Sequence, residues 1–267
     1  MIVTEVEFRP CEMPLEDKEW KFALASVSSA RGWIVEVHDH NGDVGYGYAP
    51  AIPHMGSTFE GLPVELARLK PLIIGRDPHD IEAILKSFEA SLSGASQAKA
   101  AIDCALYDLM ARSAGRPLHD LLGGKLRDSI DVLRILAIKT PDEMAAQASR
   151  LVDQGYSYFK IKVHGDIAED VARVRAIRAS VGPDAHLTID ANQSYSVKNA
   201  IYAIQRMAEC GLDLVEQPVS RFDLKGLERV THSVPITIEA DESAGTLEEI
   251  MVLVSRRIVD AVSLKIP

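Results

Sequence analysis

The 267-residue chain has little of what marks several large protein classes. Its three cysteines, Cys11, Cys104 and Cys210, are widely spaced, and no Cys-x-x-Cys occurs. That argues against structural zinc and a disulfide framework and suits a reducing, cytoplasmic setting. No apolar run approaches the roughly 18 residues a membrane helix needs, so no membrane partner is expected. The first residues, Met1-Ile2-Val3-Thr4-Glu5, show no basic segment followed by an apolar one, and no signal peptide is legible there. Basic clusters are absent too: 29 Lys and Arg stand against 39 Asp and Glu, for a net charge of −10. A chain so charged is a poor candidate for neutralising nucleic-acid phosphates. Hydrophobic residues make up 47%, enough for a sizeable core in one large domain or two smaller ones.

What the chain has is a regular second half. Short apolar runs at 130–138, 157–163, 186–190, 213–216, 236–241 and 260–265 read as strands, with helix-like segments between them. Thr140-Pro141-Asp142-Glu143 is a capping box with proline at the first helical position, and Thr246 and Glu249 repeat the spacing. Strand–helix alternation at this period implies parallel strands joined by crossover helices. Charged residues end successive runs: Lys162, Asp190, Glu216, Asp241 and Lys265, at intervals of 28, 26, 25 and 24 residues. The C-terminal ends of barrel strands are where a β/α barrel keeps its chemistry.

The first half reads differently. Runs at 2–9, 21–27, 32–38 and 44–48 suggest a three-stranded antiparallel sheet carrying long irregular loops at 13–31 and 49–60. Asn41-Gly42 suits a type I′ turn. Helical spacing follows at 60–70 and 78–90, and most clearly at 96–114, where Ala98, Ala101, Ile102, Ala105, Leu106, Leu109 and Met110 form one apolar face. The expected division is an N-terminal α+β capping domain over 1–125 and a β/α barrel over 126–267. The barrel stretch accommodates about six strands of the eight a (β/α)8 barrel needs, so a longer chain is the favoured expectation. Completion by another chain, or a truncated chain that cannot close its barrel, are the alternatives.

The strand-end residues suggest a reaction. Lys160 and Lys162 are two apart on a strand and share a face, so each ammonium should depress the other's pKa toward the range of a usable base. Alone, Lys-x-Lys is also the mark of a solvated strand face. Asp190, Glu216 and Asp241 would repel one another unless a hard cation joined them; oxygen-only ligands favour Mg²⁺, with Mn²⁺ as an alternative. Each carboxylate could instead cap the helix that follows it, although that would not explain the constant interval. Asn192, Gln217 and Glu239 flank the three and are candidates to hydrogen-bond them. Lys162 and Lys265 end strands four apart, diametrically opposite in an eight-strand ring, which is the layout for taking a proton from one face of a carbon and returning it to the other.

These motifs, Lys160-Ile161-Lys162, Ile189-Asp190-Ala191-Asn192, Val215-Glu216-Gln217-Pro218, Ala240-Asp241-Glu242-Ser243 and Leu264-Lys265-Ile266, resemble those of the enolase superfamily in its muconate-lactonizing-enzyme subgroup. Residues 98–124 resemble the last capping-domain helix and linker of that family. The resemblance implies a modified barrel under a capping domain, Mg²⁺ at Asp190, Glu216 and Asp241, acid/base lysines at Lys162 and Lys265, and Lys160 as the pKa-lowering, carboxylate-facing partner. It departs at Tyr48, where many relatives carry Glu, and at His54-Met55-Gly56-Ser57-Thr58, which bears on substrate choice. Trp20, Phe22, His54 and Met55 are the candidates for substrate contact. The expected activity is abstraction of the proton α to a small-molecule carboxylate by a homo-oligomeric racemase or epimerase of an amino-acid-like substrate. A muconate-type cycloisomerase or an o-succinylbenzoate synthase-like dehydratase is the alternative.

Overall fold

The computed structural model describes residues 1–265, so Ile266 of the last motif lies outside the described residues. The chain falls into two compact units. One comprises Met1–Lys18, Ser28–Ser129 and Lys265; the other comprises Glu19–Val27 and Ile130–Leu264.

The first five strands are β1 (Val3–Pro14), β2 (Trp20–Phe22), β3 (Ala25–Val27), β4 (Ser29–Asp39) and β5 (Val44–Pro50). In the first unit β1, β4 and β5 form an antiparallel sheet in the order β1-β4-β5. β1 continues through Pro10 to Pro14, past the expected strand end at residue 9 and into the loop expected at 13–31; Pro10 is tolerated because β1 is an edge strand and has one side free of ladder bonds. The run expected as one strand at 21–27 is instead the β2–β3 hairpin, pairing Trp20 with Val27 and Phe22 with Ala25. This hairpin belongs to the second unit, where the Lys21 carbonyl accepts the Ile138 N–H at 2.9 Å.

The turn after β4 also differs from expectation. Gly42 has φ +89° but Asn41 is not left-handed, so the turn is not type I′. The buried Asp39 carboxylate organises it by accepting from the backbone of Asn41 and of Asp43, both at 2.9 Å. Helices α1 (Leu62–Leu69), α2 (Ile81–Ser91), α3 (Ser96–Ser113) and α4 (Leu118–Leu121) follow. α3 lies directly on β5. A Cβ at Gly45 or Gly47 would collide with the α3 backbone at Ala105 or Ala101, so glycine permits the approach.

The second unit continues with β6 (Leu133–Leu136), α5 (Pro141–Asp153), β7 (Tyr158–Lys162), α6 (Ile167–Val181), β8 (His186–Asp190), α7 (Val197–Met207), β9 (Leu212–Glu216), α8 (Leu224–Thr231), β10 (Thr237–Ala240), α9 (Leu247–Arg256) and β11 (Ala261–Val262). The six strands lie in chain order, β6 to β11, each parallel to the next. The expected fold class is therefore borne out: an α/β sheet of barrel type follows an N-terminal α+β unit. β11 is only two residues long, against an expected run of 260–265.

Residue alternation builds the layers. Phe159, Ile161, Leu187, Ile189, Val215 and Ile238 are fully buried in one cluster with apolar residues of α5 to α9. The alternating residues Lys160, Lys162, Thr188, Asp190 and Glu216 therefore face the other side of the sheet. Side chains start the helices: Thr140, Asp166, Ser196, Asp223 and Thr246 each accept a backbone N–H three residues on. At Thr140 the reciprocal bond from Glu143 completes the capping box.

Candidate active site

The helix caps decide between two readings of the strand-end carboxylates. The caps of the helices after β8 and β9 are Ser196 and Asp223, so Asp190 and Glu216 are not committed to that task. Asp241 stands at the start of the 3-10 turn Glu242–Ala244 but makes no side-chain cap bond there.

Strand register aligns the polar residues. Lys162 pairs with Asp190, Asp190 with Glu216, and Glu216 with Glu239. In a parallel sheet such partners sit side by side on one face, so the four make a rung across β7, β8, β9 and β10. Lys160, two residues back on β7, lies one layer lower. Its ammonium reaches Asp190 Oδ2 at 3.1 Å and also forms an ion pair with Glu216. Lys162 Nζ donates to Asp190 Oδ2 at 2.5 Å and to Asn192 Oδ1 at 2.9 Å.

Strained loops fix the groups beyond the rung. Asn192, Gln193 and Gln217 have positive φ, of +40°, +69° and +37°. Non-glycine residues adopt this region at a cost and are held there by their surroundings. The Gln217 amide supplies that hold: Oε1 accepts from the backbone of Asp241 at 3.0 Å and of Ser243 at 3.1 Å. Its Nε2 donates to Val219 O at 3.0 Å and Ser243 Oγ at 2.9 Å. A single side chain thereby ties the loop after β9 to the turn that carries Asp241. On the other side, Asn192 donates its backbone N–H to Asp190 Oδ1 at 2.9 Å and its Nδ2 to Glu242 Oε1 at 3.2 Å. Glu239 keeps its place in the rung, and its carbonyl accepts from Gln217 N at 2.8 Å.

Charge shows what the cluster lacks. Asp190, Glu216, Asp241 and Glu242 are all buried, at 1%, 3%, 8% and 4% exposure. Lys160 and Lys162 supply the two ammonium groups against these four carboxylates. Burying carboxylates so close together is costly, and a divalent cation among them would offset that cost. Glu216 Oε1 and Glu242 Oε2 are buried without a hydrogen-bond partner, an arrangement costly for a carboxylate unless something else satisfies it. The donor set is oxygen only, as Mg²⁺ prefers. These residues fit the cation expected from the sequence.

The proton affinities reflect the same deficit. Burial and the adjacent Asp190 push Glu216 up to about 8 against the pull of Lys160. Burial and Asp241 likewise raise Glu242. Burial alone would raise Asp190, but Lys162 and Lys160 outweigh it and hold that carboxyl below the ordinary range. Lys160 departs from expectation. Burial disfavours its charge, yet Asp190 and Glu216 prevail and raise its pKa rather than lowering it. With a carboxylate against each ammonium, Coulomb attraction exceeds the lysine–lysine repulsion.

The structure does not gather every predicted residue. Among the described residues, the one group of His, Cys, Asp or Glu whose ligand atoms all lie within 4.8 Å of one another is Glu7, Glu36 and His38, on β1 and β4. Asp190, Glu216 and Asp241 are thus close enough to perturb one another but do not converge on a single point. Phe22 lies with its ring 5.4 Å from Lys162 Nζ, and Trp20 shares its hairpin strand. His54 and Met55 occupy the 3-10 turn Pro53–Met55 of the first unit. Lys265 follows β11 by three residues. Glu242 went unassigned in the sequence, although Asp241-Glu242 is a doubled acid at a strand end and that signal was available.

Comparison with known proteins places the whole chain among related sequences and structures. Residues 5–123 match the model of the mandelate racemase/muconate lactonizing enzyme N-terminal domain, and residues 143–267 match the enolase C-terminal domain-like model. The hydrophobic dipeptide epimerase of Enterococcus faecalis is 40% identical over 267 residues, covering 100% of this chain and 75% of that protein. The L-Ala-D/L-Glu epimerase of Bacillus subtilis is 37% identical over 271 residues, covering 100% and 74%. The crystal structure of the Enterococcus faecalis dipeptide epimerase complexed with Mg and the dipeptide L-Leu-L-Tyr superposes with a TM-score of 0.95 at 39% identity, over 100% of this chain and 75% of that one.

Proposed function

This chain belongs to the mandelate racemase/muconate lactonizing enzyme family of the enolase superfamily, and we propose that it is an isomerase that epimerises a dipeptide or similarly N-substituted amino acid at the carbon α to its carboxylate. The observation that carries this reading is the rung Lys162–Asp190–Glu216, with Lys162 held by two acceptors beside a buried, cation-deficient carboxylate cluster. The epimerase relatives support the substrate class.

The roles follow from the chemistry of each group. Asp190, Glu216 and Asp241 are the residues that would hold Mg²⁺, or Mn²⁺ in its place. When bound, the cation supplies positive charge next to the substrate carboxylate, where negative charge develops on loss of the α-proton. Lys162 is the base on one face. As a neutral amine it has two N–H groups and one lone pair. Asp190 Oδ2 and Asn192 Oδ1 take the two N–H groups, so the lone pair points away from both and is free to accept a proton. Lys265 is proposed as the base for the opposite face, since β11, which precedes it, stands four strands along the sheet from β7. Lys160 remains charged and offsets the carboxylates. Phe22 and Trp20 are proposed to contact the substrate. The reading carries with it a capping domain over 1–125, a barrel domain over 126–267, a cytoplasmic homo-oligomer and a small-molecule partner. No helix among the described residues is long and apolar enough to cross a membrane.

The test is proton exchange. Incubated in D₂O with Mg²⁺ and a panel of dipeptides and N-acyl amino acids, the protein is expected to incorporate deuterium at the α-carbon and to interconvert the epimers. Lactonisation of a muconate with no exchange in any amino-acid derivative would replace this reading with the cycloisomerase.

A further inference from the structure

Lys162 can act as a directed base only if Asn192 presents its oxygen, not its nitrogen. The amide's two ends are nearly isosteric, and nothing in the lysine itself prevents a flip. In the observed orientation Asn192 Oδ1 accepts from Lys162 Nζ at 2.9 Å, and Nδ2 donates to Glu242 Oε1 at 3.2 Å. A flipped amide would aim its N–H at the lone pair of the neutral Lys162 amine, occupying the pair that must take the substrate proton, and would set two acceptors against each other at Glu242. A carboxylate at 242 accepts only, so it penalises the flip from the far end.

The surroundings make this control effective. Asn192 and Glu242 are each 4% exposed, so water does not stand in for either partner. The backbone on each side is also fixed. Asn192 N–H is bound by Asp190 Oδ1, and the residue after Glu242 donates its N–H to Gln217 Oε1. Asn192 is separated from Glu242 by fifty residues, so this bond joins the loop after β8 to the turn after β10. It leaves Glu242 Oε1 with a partner, while Oε2 has none.

We propose that Glu242 is a positioning residue that acts through the Asn192 amide to aim the Lys162 amine, and so sets the rate of proton transfer on one face of the substrate and not the other. The proposal rests on the reading of Lys162 as a base, and its test keeps the two separable.

The first arm uses the epimer whose α-proton exchange is silenced by Lys162→Ala. Glu242→Gln and Glu242→Ala should slow exchange of that epimer on the order of tenfold to a hundredfold, as expected when a reacting group is misplaced by a fraction of an ångström. The ratio of the two epimers' exchange rates should shift by roughly tenfold or more. Glu242→Ala placed on Asn192→Ala should add nothing. An equal fall for both epimers, or additive losses in the double variant, would overturn the proposal. Exchange is read at Mg²⁺ concentrations that calorimetry shows to be saturating for each variant, because removing the Glu242 carboxylate also weakens the hold of the cluster on a cation, and at saturation that loss no longer contributes to the difference between the epimers.

The second arm does not depend on turnover. In protein labelled with ¹⁵N-lysine, the Lys162 Nζ resonance, assigned by its loss in Lys162→Arg, should move in Glu242→Gln and in Asn192→Ala, with no further movement in the double variant. A resonance unmoved by Glu242→Gln overturns the proposal. Absence of exchange in the parent protein would instead count against the epimerase reading and leave the resonance to decide the role of Glu242.

Discussion

Gln217→Ala is the most informative single perturbation of the scaffold, because one amide holds two loops. Gln217 is 0% exposed and all four of its hydrogen-bonding directions are used. Truncation leaves the N–H groups of Asp241 and Ser243 and the carbonyl of Val219 buried without this partner. The Ser243 hydroxyl is less affected, since it also donates to Arg221 O at 3.3 Å. A buried polar group left unsatisfied costs about 1–3 kcal/mol, so two N–H groups alone imply about 2–6 kcal/mol. Alanine at φ +37° is as strained as glutamine, so no relief of strain offsets the loss. The expected outcome in urea unfolding is a stability loss of about 3–5 kcal/mol with an unchanged denaturant slope. Calorimetry should also show Mg²⁺ binding weakened by on the order of tenfold to a hundredfold, since Asp241 loses the bond that fixes its backbone. A loss below about 1 kcal/mol, or Mg²⁺ affinity equal to the parent's, would refute the claim that this amide holds the Asp241 turn.

Other consequences are open to simpler tests. Glu216→Ala should abolish measurable Mg²⁺ binding in calorimetry, and an unchanged affinity would remove Glu216 from the cation site. Lys265→Ala should stop epimerisation while exchange of one epimer continues; loss of exchange for both would favour a one-base reaction. Arg173→Met should destabilise the protein by roughly 3–5 kcal/mol in chemical unfolding, because Asp170 is 0% exposed and would lose the guanidinium 2.9 Å away. Phe22→Leu should alter relative kcat/KM among dipeptides without changing Mg²⁺ affinity, and an unaltered preference would count against substrate contact by the hairpin.

Where one physical signal dominated, the fold was readable. The second unit alternates fully apolar strand positions with helices, and the period recurs in the structure, as do the caps expected at Thr140 and Thr246, with the reciprocal glutamate bond of the box given at Thr140. The first sixty residues carry weaker and competing signals. Pro10 looks like a terminator, yet it is tolerated because β1 turned out to be an edge strand, a tertiary fact. Asn41-Gly42 carries the composition of a type I′ turn, yet Asp39, two residues earlier, supplies a carboxylate that organises the same N–H groups in another geometry. The 21–27 run has strand composition throughout. Its division into two three-residue strands depends on a hairpin that is docked through Lys21 to Ile138, a contact no local pattern encodes.

At the site, sequence spacing identified which residues stand at the strand ends, but not their electrostatic balance. Spacing treats Lys160 and Lys162 as two like charges on one face. Register adds that the neighbouring strands bring Asp190 and Glu216 to the level of Lys162, where the Lys160 ammonium one layer below also reaches them, and the sign of the effect on Lys160 reverses. Spacing also picks out Asp241 and passes over the acid beside it. The backbone there leaves the extended path, with ψ −77°, and so Glu242 is carried back into the buried cluster instead of alternating away from it. The cluster therefore holds an acid that the interval did not reveal, and one of its oxygens, Oε2, is buried without a hydrogen-bond partner, so the demand for a further positive group there could be read only once the backbone path was known.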